Sequence, residues 1–429
     1  THDFGSLIIS IKEGGSSTAD IAQHVISKRA KLIFSLFVWL ALILIIAVFA
    51  YFCADTFVKE PKIVLPSLGL IPVAMVVGVL LYNFKANTVL TTILGLVCLA
   101  GLILLGNRLA LNNTLGFWIV VLLVYCYFAS ILPVNILLQP RDYLSSYLLF
   151  FGVGVGYLGL FIAHPKITTP FYNKWATSEG YLWPALFITI ACGAISGFHT
   201  LVASGTSSKQ IANERHAKRI GYGAMVTEGL VAVMAVLATT TLFSGRSDFG
   251  TALKNIGPIK IFGDGYGIMT RHVLGASGAF IAITILNAFI LTTLDTATRI
   301  SRYLTEELFS IKNRYISTLL IVVLSALLAF SGKGLKIWQV FGASNQLMAA
   351  LALFVLTCWL LARKKNAHFT LWPALFMFFT TVAALVFEAV KYFRSRDIVL
   401  LTAIFLLLIL AAFMFYEAAV MIIKRKAHA

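Results

Sequence analysis

Long apolar runs dominate this chain and are separated by short polar segments. An α-helix of about 20 apolar residues crosses a hydrocarbon core of about 30 Å, because each residue rises 1.5 Å. The sequence contains twelve such runs, at 32–54, 64–82, 88–106, 116–138, 144–163, 181–203, 221–243, 273–296, 316–331, 337–361, 369–390 and 398–423. The pattern predicts an all-α polytopic membrane protein with about twelve transmembrane helices, forming one domain over residues 32–429.

Residues 1–31 precede the first apolar run and form a separate N-terminal segment. The segment is amphipathic, with a predicted turn at 14–18 and a short helix at 19–25. It lacks the charged region, short apolar core and small-residue cleavage site of a signal peptide. Because the first residue is Thr1, we expect the segment to continue from an upstream region.

Two connections are longer than the others, at about 164–180 and 244–272. Both contain glycine, proline and aromatic residues. We expect plain external loops there, with lids or interfacial helices as the alternative.

Composition excludes a water-soluble fold, because 59% of the residues are hydrophobic and 12% are charged, against roughly 45–50% and 25% in soluble domains. The net charge of +17 reflects topology rather than nucleic-acid binding, since all 34 Lys and Arg fall between the predicted spans. With alternating loops, the side that holds both chain ends carries 20 of these cations and the other side 14. We therefore expect both ends to be cytoplasmic and the protein to lie in the inner (plasma) membrane.

Several chemical classes are disfavoured by the motifs that the sequence lacks. The five cysteines lie in or beside apolar runs without C-x-x-C spacing, which argues against a disulfide scaffold or a thiolate metal site. H-E-x-x-H, G-x-S-x-G and P-loop motifs are also absent from the sequence. We expect no enzyme activity, no cofactor and no metal.

The least helix-like apolar segment is 191–210, where small and hydroxyl residues replace Leu and Ile. Irregular backbone at membrane depth occurs only where it lines a cavity or is buried in protein. The segment therefore predicts a broken helix that forms a substrate site. The candidate substrate-binding residues are Ser196, Gly197, His199, Ser204, Gly205, Thr206 and Ser207. The alternatives are a helix that leaves the membrane near Val202, and a histidine that serves packing rather than proton relay.

Two carboxylates within the predicted spans are candidates for ion coupling. Glu228 lies about two turns into its span, where a carboxylate must pair, bind a cation or stay protonated. Asp295 stands near the end of the span 273–296, and the alternative is an interfacial ion pair with Arg299, four residues on. For Glu228 the alternative is a buried structural hydrogen bond or ion pair.

Two further polar intrusions interrupt apolar runs. In 131–143 we expect Pro133 to kink a helix, Pro140 to end it, and Arg141 to lie at the interface, where it attracts an anionic substrate or pairs with Asp142. In 340–350 a Ser-Asn-Gln run is most simply explained by hydrogen bonds between helices.

These three polar stretches carry a resemblance to a known family. They read LPVNILLQPRDYLS at 132–145, SGFHTLVASGTSSKQI at 196–211, continued through 212–232, and FGASNQLMAA at 341–350. The sequence resembles the carbon starvation protein A (CstA) family of bacterial and archaeal transporters, over essentially the whole chain. Members are usually longer at the N-terminus, with additional helices before an H-D-F/Y motif that His2-Asp3-Phe4 continues.

The resemblance implies a LeuT-like core with two inverted repeats and discontinuous helices. It also implies proton-driven uptake of peptides or small carboxylates such as pyruvate during carbon starvation, with sodium as the alternative coupling ion. On this basis 196–208 would form part of the substrate cradle, Glu228 would serve coupling and Arg141 would be a second anion contact. The expected partners are the substrate, the ion and the lipid bilayer, without nucleic acid. A membrane channel and a nutrient sensor without transport remain the alternative functions.

Overall fold

The computed structural model describes residues 1–167, 169–172, 174–177, 180–243, 251–253 and 255–426. The described helices are α1 (His2–Lys12), α2 (Thr18–Val25), α3 (Lys28–Lys59), α4 (Val64–Gly78), α5 (Thr88–Arg108), α6 (Leu115–Ile131), α7 (Leu138–Ala163), α8 (Phe187–Ile190), α9 (Gly197–Gly205), α10 (Ala217–Leu242), α11 (Pro258–Met269), α12 (Arg271–Leu274), α13 (Gly278–Leu308), α14 (Arg314–Ala329), α15 (Gly334–Ala362), α16 (His368–Arg394) and α17 (Ile398–Lys426). Single 3₁₀ or π turns occupy Pro61–Ile63, Val79–Asn83, Leu182–Leu186, Ala191–Gly193, Ser207–Lys209, Glu214–His216 and Gly275–Ser277. Two short antiparallel strands, β1 (Ala176–Thr177) and β2 (Gly180–Tyr181), pair with each other.

Each of the twelve predicted apolar runs coincides with helical structure. Within the described residues, ten stretches are long and apolar enough to cross a membrane, and α6 and α14 are shorter apolar helices. The all-α polytopic fold is therefore confirmed. Twelve membrane crossings and a LeuT-like core remain predictions.

Helices α3 and α15 form the centre of the bundle. Their most apolar windows are 67% and 89% buried, whereas the corresponding window that includes α10 is 11% buried. Outer helices expose large apolar side chains such as Leu104, Phe161 and Phe376. Apolar residues on the outside suit a protein whose solvent is lipid.

The N-terminal segment packs into the bundle through α1. Leu7 and Ile9 of this helix are buried, and so are the polar residues His2, Asp3 and Ser10. Helix α1 contacts α9, α10 and α15, while α2 packs against α3. The predicted turn and the predicted short helix at 19–25 are both present, the latter as α2.

The connection 244–272 is not a plain external loop over its described part. Helix α11 buries Ile261, Tyr266 and Met269 and packs against α10 and α13. Residues 244–250 and 254 lie outside the described residues, as do 168, 173, 178 and 179 of the connection 164–180. The described part of 164–180 contains β1.

The stretch 131–143 differs from its prediction at both prolines. Helix α6 ends at Ile131, so Pro133 lies in a connection, and Pro140 is the third residue of α7. The prediction that Pro140 ends a helix was wrong, because the first turn of a helix has no intrahelical partner for its N–H groups and tolerates proline. The carbonyls left at the end of α6 accept hydrogen bonds from Arg299 Nη2, Ala129 O at 2.6 Å and Leu132 O at 2.5 Å.

Candidate functional site

An open-sided cavity of about 2030 Å³ is lined by residues of α1, α3, α7, α9, α10, α11, α13, α15 and α16, and by the chain between α7 and α9. Polar residues of the wall lie on these helices and on the residues that flank α9. They include Asp3, Ser196, His199, Ser207, Glu228, Asn345 and Gln346. The cavity is therefore an apolar-walled chamber with a few converging polar groups, the usual form of a small-molecule site.

The backbone is broken immediately before α9, as the glycine-rich sequence predicts. Helical turns end at Gly193, and α9 starts at Gly197. Asn345 of α15 holds the break, since its Oδ1 accepts from the Phe198 N–H at 2.8 Å and its Nδ2 donates to Ser196 Oγ at 3.0 Å. A side chain thus replaces part of the missing backbone pairing at the start of α9.

Helix α1 supplies a carboxylate to this break. Asp3 Oδ2 lies 2.9 Å from His199 Nδ1, and Asp3 Oδ1 lies 2.6 Å from His2 Nδ1. Burial would raise the pKa of Asp3, but hydrogen bonds from His199 and His2 hold it well below its usual range. An ionised carboxylate only accepts, so His199 donates through Nδ1 and its Nε2 is left for another partner.

A row of hydroxyl contacts, which we call the hydroxyl seam, joins α1 and the first residue of α2 to α9. Ser6 Oγ lies 3.1 Å from Thr200 Oγ1, and Ser10 Oγ donates to the Ser204 carbonyl at 3.2 Å. Thr18 Oγ1 donates to Ser204 Oγ at 3.0 Å. The seam keeps α1 in register with α9 and thereby positions Asp3 against His199.

Glu228 of α10 contributes a second carboxylate to the cavity wall. The side chain is half-buried, and in the described part of the chain it has no ion-pair partner. Asp3, His199 and Glu228 therefore face the same cavity from three different helices.

The remaining wall combines aromatic surface with charge. Phe49, Trp338 and Phe341 form an aromatic cluster with ring centroids 5.5 to 6.0 Å apart. Lys336 and Lys391 are also in the wall. Such a chamber suits a molecule with both an apolar part and ionised groups.

Four of the predicted site residues line this cavity, namely Ser196, His199, Ser207 and Glu228. Gly197 instead packs on α15, where a Cβ would meet Met348 Cβ at 2.5 Å and Ala349 N at 2.8 Å. The Ser204 hydroxyl is hydrogen-bonded within the hydroxyl seam. Gly205 and Thr206 end α9 and are not part of the cavity wall.

Arg141 and Asp295 also lie outside the cavity wall. The predicted interfacial position of Arg141 was wrong, because its side chain is 1% exposed and ion-paired with Asp295, which is 0% exposed. The predicted pair of Asp295 with Arg299 is replaced by this one, since Arg299 binds the end of α6. Arg141 makes no contact with the cavity in this conformation.

Sequence reasoning missed Asp3, and it interpreted Asn345 and Gln346 only as hydrogen-bonding residues. Asn345 does bond between helices, yet both amides also line the cavity. The sequence signal that could have identified Asp3 is the polar pair His2-Asp3 at the start of the amphipathic N-terminal segment. The structure shows that the helix of this segment, α1, is buried. Among the described residues, no group of three or more His, Cys, Asp and Glu is arranged to hold a metal ion.

The fold and the cavity define a polytopic α-helical membrane protein with an internal polar site at a helix break. A family profile described as carbon starvation protein CstA matches residues 1–249 and 247–384. The chain belongs to this family.

Relatives within the family have been named for their transport activities. A peptide transporter CstA from Helicobacter pylori (strain J99) is 30% identical, over 93% of this chain and 69% of the relative. A peptide transporter CstA from Bacillus subtilis is 31% identical, over 82% of this chain and 68% of the relative. The pyruvate/proton symporter BtsT from Escherichia coli is 28% identical, over 90% of this chain and 68% of the relative.

Among solved structures, a manganese transporter from Eremococcus coleocola is similar with a TM-score of 0.46 and 14% identity, over 100% of this chain and 92% of that one.

Proposed function

We propose that this chain is a secondary active transporter that takes up peptides or small carboxylates such as pyruvate, driven by protons, during carbon starvation. The observation that carries the proposal is the cavity at the helix break, where Asp3, His199 and Glu228 face one chamber. Its relatives include proteins named as peptide transporters and as a pyruvate/proton symporter.

In this proposal the substrate binds between α9, α10 and α15. Ser196, His199 and Ser207 supply hydrogen bonds to its polar groups, and the aromatic cluster of Phe49, Trp338 and Phe341 contacts its apolar part. The volume of about 2030 Å³ exceeds the 300–1,000 Å³ of common ligand pockets. A short peptide is accommodated as readily as a small carboxylate.

Coupling in the cavity is assigned to Glu228. A half-buried carboxylate that faces a cavity within a membrane span is a suitable site for a transported proton. Sodium is the alternative coupling ion, since carboxylate oxygens also bind small cations.

The test is uptake of labelled pyruvate and labelled dipeptides into proteoliposomes, with and without an imposed inward proton gradient. Uptake of either substrate that rises with the gradient supports the proposal, and a sodium gradient distinguishes the other ion. A channel would pass substrate without saturation or counterflow. Uptake of neither substrate under any gradient would rule the transporter out and favour a sensor.

A matched pair of variants tests the coupling residue. Glu228→Gln removes the cavity carboxylate, whereas Glu214→Gln alters an exposed carboxylate in the turn just before α10. We expect only Glu228→Gln to lose gradient-driven accumulation. Full proton-driven uptake by Glu228→Gln would remove this residue from the coupling role.

The membrane location and orientation are proposed from the distribution of basic residues: an inner membrane protein with both ends of this chain cytoplasmic. Exposed single cysteines at Ser331 and Asn366, in a background without other cysteines, test the orientation. An impermeant maleimide added outside intact cells should label Ser331→Cys and spare Asn366→Cys. The reverse pattern would invert the topology.

A further inference from the structure

Behind the cavity wall, a buried ion pair joins three helices. Arg141 Nη1 of α7 contacts Asp295 Oδ2 of α13, and it also contacts the Tyr125 hydroxyl of α6. Tyr125 donates to the same Asp295 oxygen at 2.6 Å. The side chains of Arg141 and Asp295 are 1% and 0% exposed.

The cluster has unused hydrogen-bonding capacity on both partners. Asp295 Oδ1, and Arg141 Nε and Nη2, are buried and have no hydrogen-bond partner within the described part of the chain. Ser145 Oγ, one turn along α7 from Arg141, is also buried without a hydrogen-bond partner in the described part of the chain. Asp295 therefore keeps one oxygen with no donor, and a proton is the smallest ligand for it.

A proton on Asp295 is incompatible with the pair as it stands. Binding converts the carboxylate into a neutral carboxylic acid, while an arginine stays charged. A buried cation that loses its counter-charge is strongly unfavourable, so Arg141 must move to a more polar environment. Protonation and the closed pair are therefore mutually exclusive.

The titratable groups that surround Asp295 lie on α3, α6 and α7 and on its own helix, α13. They are Cys53 of α3, Tyr125 and Cys126 of α6, Arg141 and Asp142 of α7, and Arg299 of its own helix. Arg141 is the cation that contacts its carboxylate, and Arg299 is bonded to the end of α6. Asp142 is the other carboxylate in this group, and it is exposed at the start of α7.

Both partners belong to helices that also form the cavity wall. On α13, Phe289 and Thr293 line the cavity, and on α7 Ser146 and Leu149 do so. A change in the pair therefore reaches the cavity through two rigid helices, without contact between Asp295 and the substrate.

We propose that Asp295 is a second proton-binding site, outside the substrate cavity, whose protonation opens the Arg141–Asp295 pair and shifts α7 and α13 against the cavity. This inference rests on the proposed transport function and adds to Glu228 a second coupling group at a site that the substrate does not touch. Glu228 then couples the proton to the substrate within the cavity, and Asp295 couples a proton to the arrangement of the helices.

The experiment compares two activities in proteoliposomes: substrate exchange without any gradient, and accumulation driven by an imposed proton gradient. For Asp295→Asn we expect exchange within about threefold of the wild type and gradient-driven accumulation reduced more than tenfold. Glu306→Gln is the matched control, because it removes a carboxylate paired with Arg302 near the end of the same helix. The control should accumulate substrate like the wild type.

Two further variants keep the test decisive if Asp295→Asn folds poorly because it leaves Arg141 unpaired. The double variant Arg141→Gln with Asp295→Asn removes both charges, and we expect exchange without proton-driven accumulation. Tyr125→Phe keeps both charges but removes a hydrogen bond that favours the charged carboxylate. For Tyr125→Phe, the pH of half-maximal uptake should move upward.

Proton-driven accumulation at the wild-type level in either Asp295 variant would overturn the inference, as would an unchanged pH profile in Tyr125→Phe. These outcomes leave the proposed function intact, since they require that the wild type be proton-driven. A wild type that transports neither substrate would instead defeat the proposed function. The two failures are therefore distinguishable.

Discussion

Asp3 and His199 lie 196 residues apart in the sequence, and their side chains meet at 2.9 Å between Oδ2 and Nδ1. The contact joins the first helix of the chain to the helix that follows the break. It also fixes which imidazole nitrogen is left for the cavity. The N-terminal helix is therefore part of the candidate site.

Asp3→Asn should lower uptake by about tenfold or more, which corresponds to about 1.4 kcal/mol. Asparagine offers a single acceptor oxygen, while both His2 and His199 approach the carboxylate. Initial uptake rates in proteoliposomes measure the effect. Asp20→Asn is the control, because Asp20 pairs with Lys31 at a partly exposed position. Equal rates in the two variants would contradict a role for Asp3 in the site.

Gly197→Ala should destabilise the protein by about 1–3 kcal/mol, the usual cost of overpacking. The added Cβ would overlap the Asn345 carbonyl oxygen and lie 2.8 Å from Ala349 N, and backbone atoms cannot move aside. Gly223→Ala is the control, since nothing lies within 4 Å of its Cβ, and it should be neutral or stabilise by up to about 1 kcal/mol. Melting temperatures in detergent should shift in opposite directions or differ clearly. A shared upward shift would show that α9 and α15 are not in close contact.

Arg299→Gln should cost about 2–4 kcal/mol, because two carbonyls at the end of α6 lose a charged donor. Thermal unfolding in detergent measures the loss, and limited proteolysis should reveal faster cleavage between Ile131 and Leu138. Arg314→Gln alters an exposed arginine at the start of α14 and should behave like the wild type. Unchanged proteolysis in Arg299→Gln would show that the arginine does not hold this connection.

Asp397, in the connection between α16 and α17, should make the stability of the protein depend on pH. Burial would raise the pKa of Asp397, but the hydrogen bond from Lys333 and the charges of Lys333 and Lys336 outweigh it, so its pKa lies below the ordinary value. A depressed pKa means that the unfolded chain binds the proton first, so stability is present above about pH 4 and is lost as the pH falls further.

The measurement is the stability difference between the wild type and Asp397→Asn. We expect about 1 kcal/mol near pH 7, since the lysines are substantially exposed. The difference should shrink as the pH falls from about 5 toward 3. A difference that is constant over this range would show that the Asp397 charge does not contribute.

The sequence was sufficient for features that depend on local composition. Apolar runs predict the helices because a membrane requires them, and the glycine-rich stretch before Gly197 predicts the break. Glu228 and His199 were identifiable because an ionisable side chain within an apolar run is costly to bury in a membrane and therefore marks a paired or functional position.

Contacts between distant segments were not predictable in the same way. Asp295 has an arginine four residues on, yet it pairs with Arg141, 154 residues away, because the end of α6 competes for Arg299. The environment of Arg141 depends on where α7 begins, and Pro140 made that boundary ambiguous. Asp3 precedes the first long apolar run, so only the packing of α1 reveals its place.

The hydroxyl seam between α1 and α9 has a mechanical consequence. Serine and threonine contacts are exchanged for water with little net change, whereas separating apolar surfaces exposes them to solvent. Gly197 packs α9 directly on α15, whereas hydroxyl contacts join the other face of α9 to α1. Water that reached both interfaces would therefore weaken the α1–α9 contacts less steeply in free energy, but at more positions, than the α9–α15 contact.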